Sequence, residues 1–127
     1  MFLTEQNRSD RSQRAYHSGV SAENAVERYY LDHGLETAAR RWRRQGVGEL
    51  DLVMRDGKTL VFVEVKKSRD FARAAESLTA RQMMRLADGA AAYLAGEPRG
   101  EMTECRFDVA LVNAQGEIHI LENALSG

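Results

Sequence analysis

The run Leu60-Val61-Phe62-Val63-Glu64-Val65-Lys66 constrains the fold more than any other segment of this 127-residue chain. Its apolar residues fall on both parities, so a strand built from it hides both faces and belongs inside a sheet covered on two sides. Glu64 and Lys66 close the run, and charge at the end of a buried strand is costly unless it is paired or used. The run is far shorter than the roughly 20 apolar residues of a membrane helix. With 43% hydrophobic and 29% charged residues, the chain has the composition of one ordinary globular domain, large enough to hide about two-thirds of its unfolded surface.

Around that strand the periodicity changes several times. Residues 1–17 are polar without an apolar period and read as a mobile tail, leaving residues 18–127 as a single domain. Ala22, Ala25, Val26, Tyr29 and Tyr30 recur at helical spacing, with Ser21 as the expected cap and Gly34 as the stop. Leu35 to Trp42 is a weak strand, and Gly46-Val47-Gly48 breaks the chain. Glu49 to Arg55 and Lys58 to Lys66 form a hairpin whose expected turn is Asp56-Gly57. Residues 67–76 read as a charged connection. Thr79 and Gln82 fit a capping box opening a second helix, with Met83, Leu86, Ala87, Ala90, Ala91 and Leu94 as its stripe and Gly96 and Pro98 beyond its end. Residues 99–104 read as a loop, Phe107 to Val112 as a buried strand, and Ile118 to Leu121 as its short partner. The order predicts an α/β fold, a mixed sheet flanked by helices.

The hairpin carries a parity argument. With Asp56-Gly57 as a two-residue turn, Glu49 stands opposite Glu64 and Asp51 opposite Phe62, and Glu49, Asp51, Glu64 and Lys66 project from one face. A four-residue turn preserves this; a three-residue turn breaks it. Three carboxylates beside a buried strand repel one another and resist desolvation. A divalent cation or proton uptake could offset that cost. Magnesium suits one or two carboxylates with water and phosphate oxygens, here Asp51 and Glu64 with the carbonyl of Val65 as an extra oxygen. Lys66 points the same way, where its ammonium could orient a water or stabilise a phosphate. Against this, Glu64 and Lys66 could form a structural ion pair. Glu23, in the first turn of the first expected helix, is favoured there by the helix dipole alone.

The net charge of −1 hides an uneven distribution: residues 40–85 hold twelve basic and six acidic side chains. Arg40, Arg41, Arg43 and Arg44 surround Trp42, a combination suited to phosphate contact and stacking, although the tryptophan itself reads sooner as a core residue with the arginines solvated around it. Lys67 and Arg69 extend the positive segment, and phosphate-backbone binding needs no more than such charges. His17, His33 and His119 are isolated and form no zinc pattern. Gly46-Val47-Gly48 lacks the third glycine of a dinucleotide loop, and no phosphate-loop motif occurs. Cys105 is the sole cysteine, so no disulfide framework or multi-cysteine zinc site exists. Met1-Phe2-Leu3-Thr4-Glu5 lacks the apolar segment of a secretory signal, and a cytoplasmic protein without a membrane association is the expectation.

Gly48-Glu49-Leu50-Asp51-Leu52-Val53, then Leu60 to Lys66 and Arg106-Phe107-Asp108-Val109, resemble the YraN-like family of uncharacterised bacterial proteins. The likeness runs in order from about Ser18 to Leu121 and takes in Glu23 and Tyr93-Leu94. That family is similar to Holliday-junction resolvases and restriction-endonuclease-like nucleases, whose core is α-β-β-β-α-β and whose site is an Asp…Glu-x-Lys constellation. The resemblance implies Asp51 and Glu64 as metal ligands for magnesium or manganese, Lys66 as the catalytic lysine and Glu23 as an accessory acid; the hairpin parity, not the resemblance, adds Glu49 as a further accessory acid. The resemblance also implies DNA as partner, and leaves a homodimer open. The chain departs from the family at Ser68, where an arginine is usual, and at Arg41, Ala72 and Arg81, where Asn, Gly and Lys are usual.

The first expectation is therefore a metal-dependent endonuclease hydrolysing DNA phosphodiester bonds, with branched or distorted DNA as candidate substrate. Its rival is a nuclease fold that binds nucleic acid or a protein partner without catalysis.

Overall fold

A computed structural model describes residues 5–125, with residues 5–18 described by their backbone alone. Nine elements follow one another: α1 (Glu5–Asp32), β1 (Glu36–Arg44), β2 (Gly48–Asp56), β3 (Thr59–Lys67), α2 (Phe71–Glu76), α3 (Ala80–Leu94), a 3-10 turn (Gly100–Met102), β4 (Cys105–Val112) and β5 (Ile118–Leu121). The five strands form one sheet in the order β1-β2-β3-β4-β5. β3 runs parallel to β4 and every other neighbouring pair is antiparallel, so the sheet is mixed and the core order is α-β-β-β-α-β. This arrangement is consistent with a restriction-endonuclease-like fold.

β3 lies at the centre because its sequence admits no other place. Leu60, Val61, Phe62 and Val63 are all fully buried. Val61 and Val63 pack under α1 with Ala22, Val26 and Tyr30, while Leu60 and Phe62 pack under α3 with Leu86 and Ala90. α2 adds a smaller cluster on that second side, Ala74 against Val109 and Leu111. The result is three layers, with α1 over one face of the sheet and α2 and α3 over the other.

Several sequence expectations shift by small amounts. α1 extends back to Glu5, so Ser21 lies inside the helix instead of capping it. The expected tail, residues 1–17, falls outside the described residues for residues 1–4 and for all of its side chains. Gly34 does end α1, at φ +89°. The connection after β3 contains α2, capped by Asp70, whose carboxylate accepts the Arg73 amide at 2.8 Å. Thr79 and Gln82 form the capping box of α3. The buried stripe of α3 runs through Leu86, Gly89 and Ala90 instead of Ala87 and Ala91, which are exposed. A glycine in that stripe allows a close crossing: a Cβ on Gly48 would stand 2.6 Å from the Arg85 carbonyl oxygen and 2.8 Å from the Gly89 amide nitrogen. The glycines 46 and 48 thus serve a turn (Gly46, φ +77°) and a strand–helix contact.

Among the described residues, β4 carries the one carboxylate that is fully enclosed. Asp108, 0% exposed, accepts the Tyr30 hydroxyl at 2.7 Å, the Arg106 guanidinium at 3.2 Å and the Asn123 amide at 3.1 Å. Every lone-pair direction has a donor or a counter-charge nearby, so this buried charge ties α1 to the sheet.

Candidate functional site

The hairpin turn is Gly57-Lys58, closed by Asp56 opposite Thr59, and not Asp56-Gly57. Gly57 has φ +61° and Lys58 does not have positive φ. That is the pattern of a turn needing glycine only at its first central position. The register moves by two residues, so parity survives but the partners change. Continued past Leu52 opposite Val63, it sets Asp51 opposite Glu64. The two carboxylates are cross-strand neighbours, closer than the sequence argument placed them.

The ladder between β2 and β3 ends just there. In regular pairing the Val65 amide would donate to the Leu50 carbonyl; instead it donates to Asp51 Oδ2 at 2.9 Å. A side chain has replaced a backbone acceptor, and the strands fork. N–H and C=O of one residue leave a strand on the same edge, so the Val65 carbonyl also faces the fork. On the outer side, Leu50 packs beneath α3 whereas Leu52 packs beneath α1. Strict alternation therefore fails around Asp51, and β1 answers with Arg41 at φ +49°. The β1–β2 pairing steps from Arg40 opposite Leu52 to Trp42 opposite Leu50 across this irregularity. A sequence cannot reveal such a break, and Glu49 does not share a face with Asp51 by simple parity. Glu49 is exposed and borders a cleft of about 250 Å³ with Glu23, Arg41 and Asp51.

Charge crowding follows from this geometry. Burial raises the Asp51 carboxyl above its usual range, opposed by the Val65 amide, with the Glu23 and Glu49 charges adding to the rise and Lys66 opposing it. Burial also raises Glu64, to about 7, with Asp51 adding to the rise through its charge and a shared hydrogen bond. Lys66 Nζ lies 3.3 Å from Glu64 Oε1, each side chain 16% exposed. The structural ion pair therefore exists, but one ammonium faces two carboxyls and leaves the group short of positive charge.

The donors present fit a small hard cation. Asp51 and Glu64 offer two carboxylates at a forked strand end, with the Val65 carbonyl on the same edge. Among the described residues no three His, Cys, Asp or Glu side chains form a metal-holding group. Two carboxylates completed by water and phosphate oxygens is the arrangement magnesium favours.

The remaining candidates are placed as follows. Glu23, on α1, binds Arg41 Nε at 2.8 Å and borders a cleft with Val65, Lys67, Ser68 and Arg69 of about 510 Å³. Glu27, which sequence reasoning passed over, accepts Arg40 Nη2 at 2.7 Å and the Thr37 hydroxyl. The Arg40 hydrogen bond is the main cause holding the Glu27 carboxyl below its usual range. Its helical offset of four from Glu23 was the available signal. Arg40 and Arg41 are thus turned to carboxylates of α1. Arg43, Arg44 and Arg69 are exposed. Trp42 is half-buried edge-on against Tyr93, with ring centroids 5.5 Å apart, so its packing role prevails. Burial pushes the Cys105 thiol up, in keeping with its place at the rim of the α3 core.

The comparison with known sequences agrees with the motif reading at the level of the family. The profile of the uncharacterised protein family UPF0102 matches residues 22–112, a span that holds α1's buried half, the hairpin, α3 and β4. A UPF0102 protein of Ruegeria pomeroyi is 54% identical over 116 residues, covering 91% of this chain and 94% of that protein. One from Cereibacter sphaeroides is 52% identical over 112 residues, covering 88% and 95%. One from Roseobacter denitrificans is 53% identical over 112 residues, covering 88% and 86%. The chain belongs to the uncharacterised protein family UPF0102, the YraN-like family.

Proposed function

We propose that the chain is a metal-dependent endonuclease that hydrolyses DNA phosphodiester bonds. The observation that carries this reading is the juxtaposition of Asp51 and Glu64, raised carboxyls at a strand fork, with Lys66 at 3.3 Å from Glu64. Folding alone does not favour that arrangement, and hard oxygens beside a lysine are what phosphodiester hydrolysis uses.

Asp51 and Glu64, with the Val65 carbonyl, would hold a magnesium or manganese ion. Such an ion supplies Lewis-acid chemistry at a phosphate oxygen and at water. The chain's own side chains do the rest. The Val65 amide fixes the Asp51 carboxylate in orientation. The Lys66 ammonium sits where it can stabilise negative charge accumulating on the phosphate. Glu23 anchors Arg41 at the mouth of the site and adds negative charge that strengthens cation binding. No helix among the described residues is long and apolar enough to cross a membrane. A cytoplasmic setting is part of the proposal and rests on the sequence expectation.

The test is cleavage of duplex, single-stranded and branched DNA by the purified protein in magnesium or manganese. Asp51→Asn, Glu64→Gln and Lys66→Ala should each lower the rate by at least about 100-fold with the fold retained. Wild-type protein inert on every substrate, or variants that cut as wild type does, would overturn the proposal and leave a binding module without catalysis.

A further inference from the structure

Five arginines of the fold are committed to carboxylates: Arg40 to Glu27, Arg41 to Glu23, Arg55 to Glu97, Arg73 to Asp70 and Arg106 to Asp108. Arg44, Arg81 and Arg85 are among the arginines that form no such ion pair among the described residues. They are exposed, come from two elements distant in sequence, and meet at one place. Arg44 pairs with Gly48 across β1 and β2, and Gly48 lies against the Arg85 backbone in the close crossing already described. Arg81 is one helical turn from Arg85 on α3, so the two share a stripe. The Arg44 guanidinium lies 5.8 Å from the Trp42 ring centroid, and Trp42 belongs to the α3 core. That places Arg44 on the α3 side as well. Alternation along β3 sets Glu64 and Lys66 on the same side, in step with Leu60 and Phe62. Arg40, in contrast, belongs with Leu52 and Glu27 on the α1 side.

We infer that Arg44, Arg81 and Arg85 form a phosphate-binding track for duplex DNA, leading to the Asp51–Glu64 site along the α3 side of the sheet. The inference rests on the nuclease reading and names the surface that presents its substrate. Rigid elements hold the three cations, and Glu49, Glu76 and Asp88, the acidic residues nearest them in sequence, form no ion pair with them among the described residues. Duplex is favoured over single-stranded DNA because single-strand sites need aromatic platforms for unpaired bases. Trp42, the aromatic of this region, is edge-on to Tyr93 and beneath Arg44.

The experiment measures binding of a short labelled duplex in chelator across a salt series, so that cleavage plays no part. The Arg81→Gln/Arg85→Gln double variant should bind about tenfold or more weakly at low salt, and its plot of log affinity against log salt should flatten by about two units, near one per lost phosphate contact. Arg44→Gln should flatten it by about one. Arg99→Gln, at the hairpin-turn end of the sheet beside Lys58, should behave as wild type, and melting curves should be unchanged in every variant. An unchanged salt slope in the double variant, or tighter binding of a single strand than of the duplex, overturns the inference. Duplex binding that depends on the three arginines in a protein that never cuts would sink the nuclease reading and leave this track standing. Cutting unaffected by loss of the three arginines would do the reverse.

Discussion

Asp51 accepts the backbone amide of Val65 at 2.9 Å, so a carboxylate stands where the hairpin's regular register would put the carbonyl of Leu50. One hydrogen bond thereby does two things. It ends the β2–β3 ladder without orphaning a donor, and it fixes a charged group at the fork beside Glu64.

The two roles of Asp51 are separable by substitution. Asp51→Asn keeps an oxygen for the Val65 amide and removes a crowded charge, so in metal-free buffer its stability should equal or exceed that of wild type. Asp51→Ala leaves the amide without its acceptor and should cost about 1–3 kcal/mol. Denaturant unfolding in chelator measures both. An asparagine variant as unstable as the alanine variant would contradict the capping role.

Glu64 makes the metal-free protein sensitive to pH in a defined direction. An unfolded glutamate loses its proton near 4.5, whereas folded Glu64 keeps its own until about 7. Between those values the folded state binds more protons than the unfolded state, so this group's contribution to stability falls as pH rises through the window. Asp51, also raised, acts in the same sense. Melting temperatures of wild type and Glu64→Gln in chelator should be closest near pH 4.5, and the variant should become the more stable as pH passes 7. Parallel pH profiles would show that the carboxyl is not crowded.

Gly48 fixes the angle at which β2 enters beneath α3. A Cβ there meets backbone atoms of Arg85 and Gly89, which cannot rotate away. Gly48→Ala should therefore destabilise the protein by about 1–3 kcal/mol, visible as a lowered denaturation midpoint, whereas Gly19→Ala, with open space around it, should not. Equal stability of the two variants would remove Gly48 from the packing argument.

Strong local patterns carried the fold into the sequence. Leu60 to Val63 are apolar at consecutive positions, which only a strand covered on both faces tolerates, and the structure buries all four. Thr79 and Gln82 announced the start of α3 because a capping box is written in two residues. The site was legible to the extent that parity is: Asp51 and Glu64 share the fork because both a turn at Asp56-Gly57 and one at Gly57-Lys58 keep the same parity. What parity could not supply was the change of face between Leu50 and Leu52. That irregularity arises from Arg41 at φ +49° and from a side chain taking over a backbone hydrogen bond, neither of which has a periodic signature. Glu23 was legible as an acid but not its partner, and Glu27 was not legible at all, since the paired Arg41 and Arg40 lie on β1, 18 and 13 residues away. The arginine run looked like one cluster, and the strand separates it into paired and exposed members.

The most direct measurement is diffraction from crystals grown with manganese, collected to give an anomalous signal. A cation site at the fork predicts a peak between the carboxylates of Asp51 and Glu64, absent from crystals of Glu64→Gln. A map without a peak there at saturating manganese, or one with those two carboxylates turned away from each other, would contradict it.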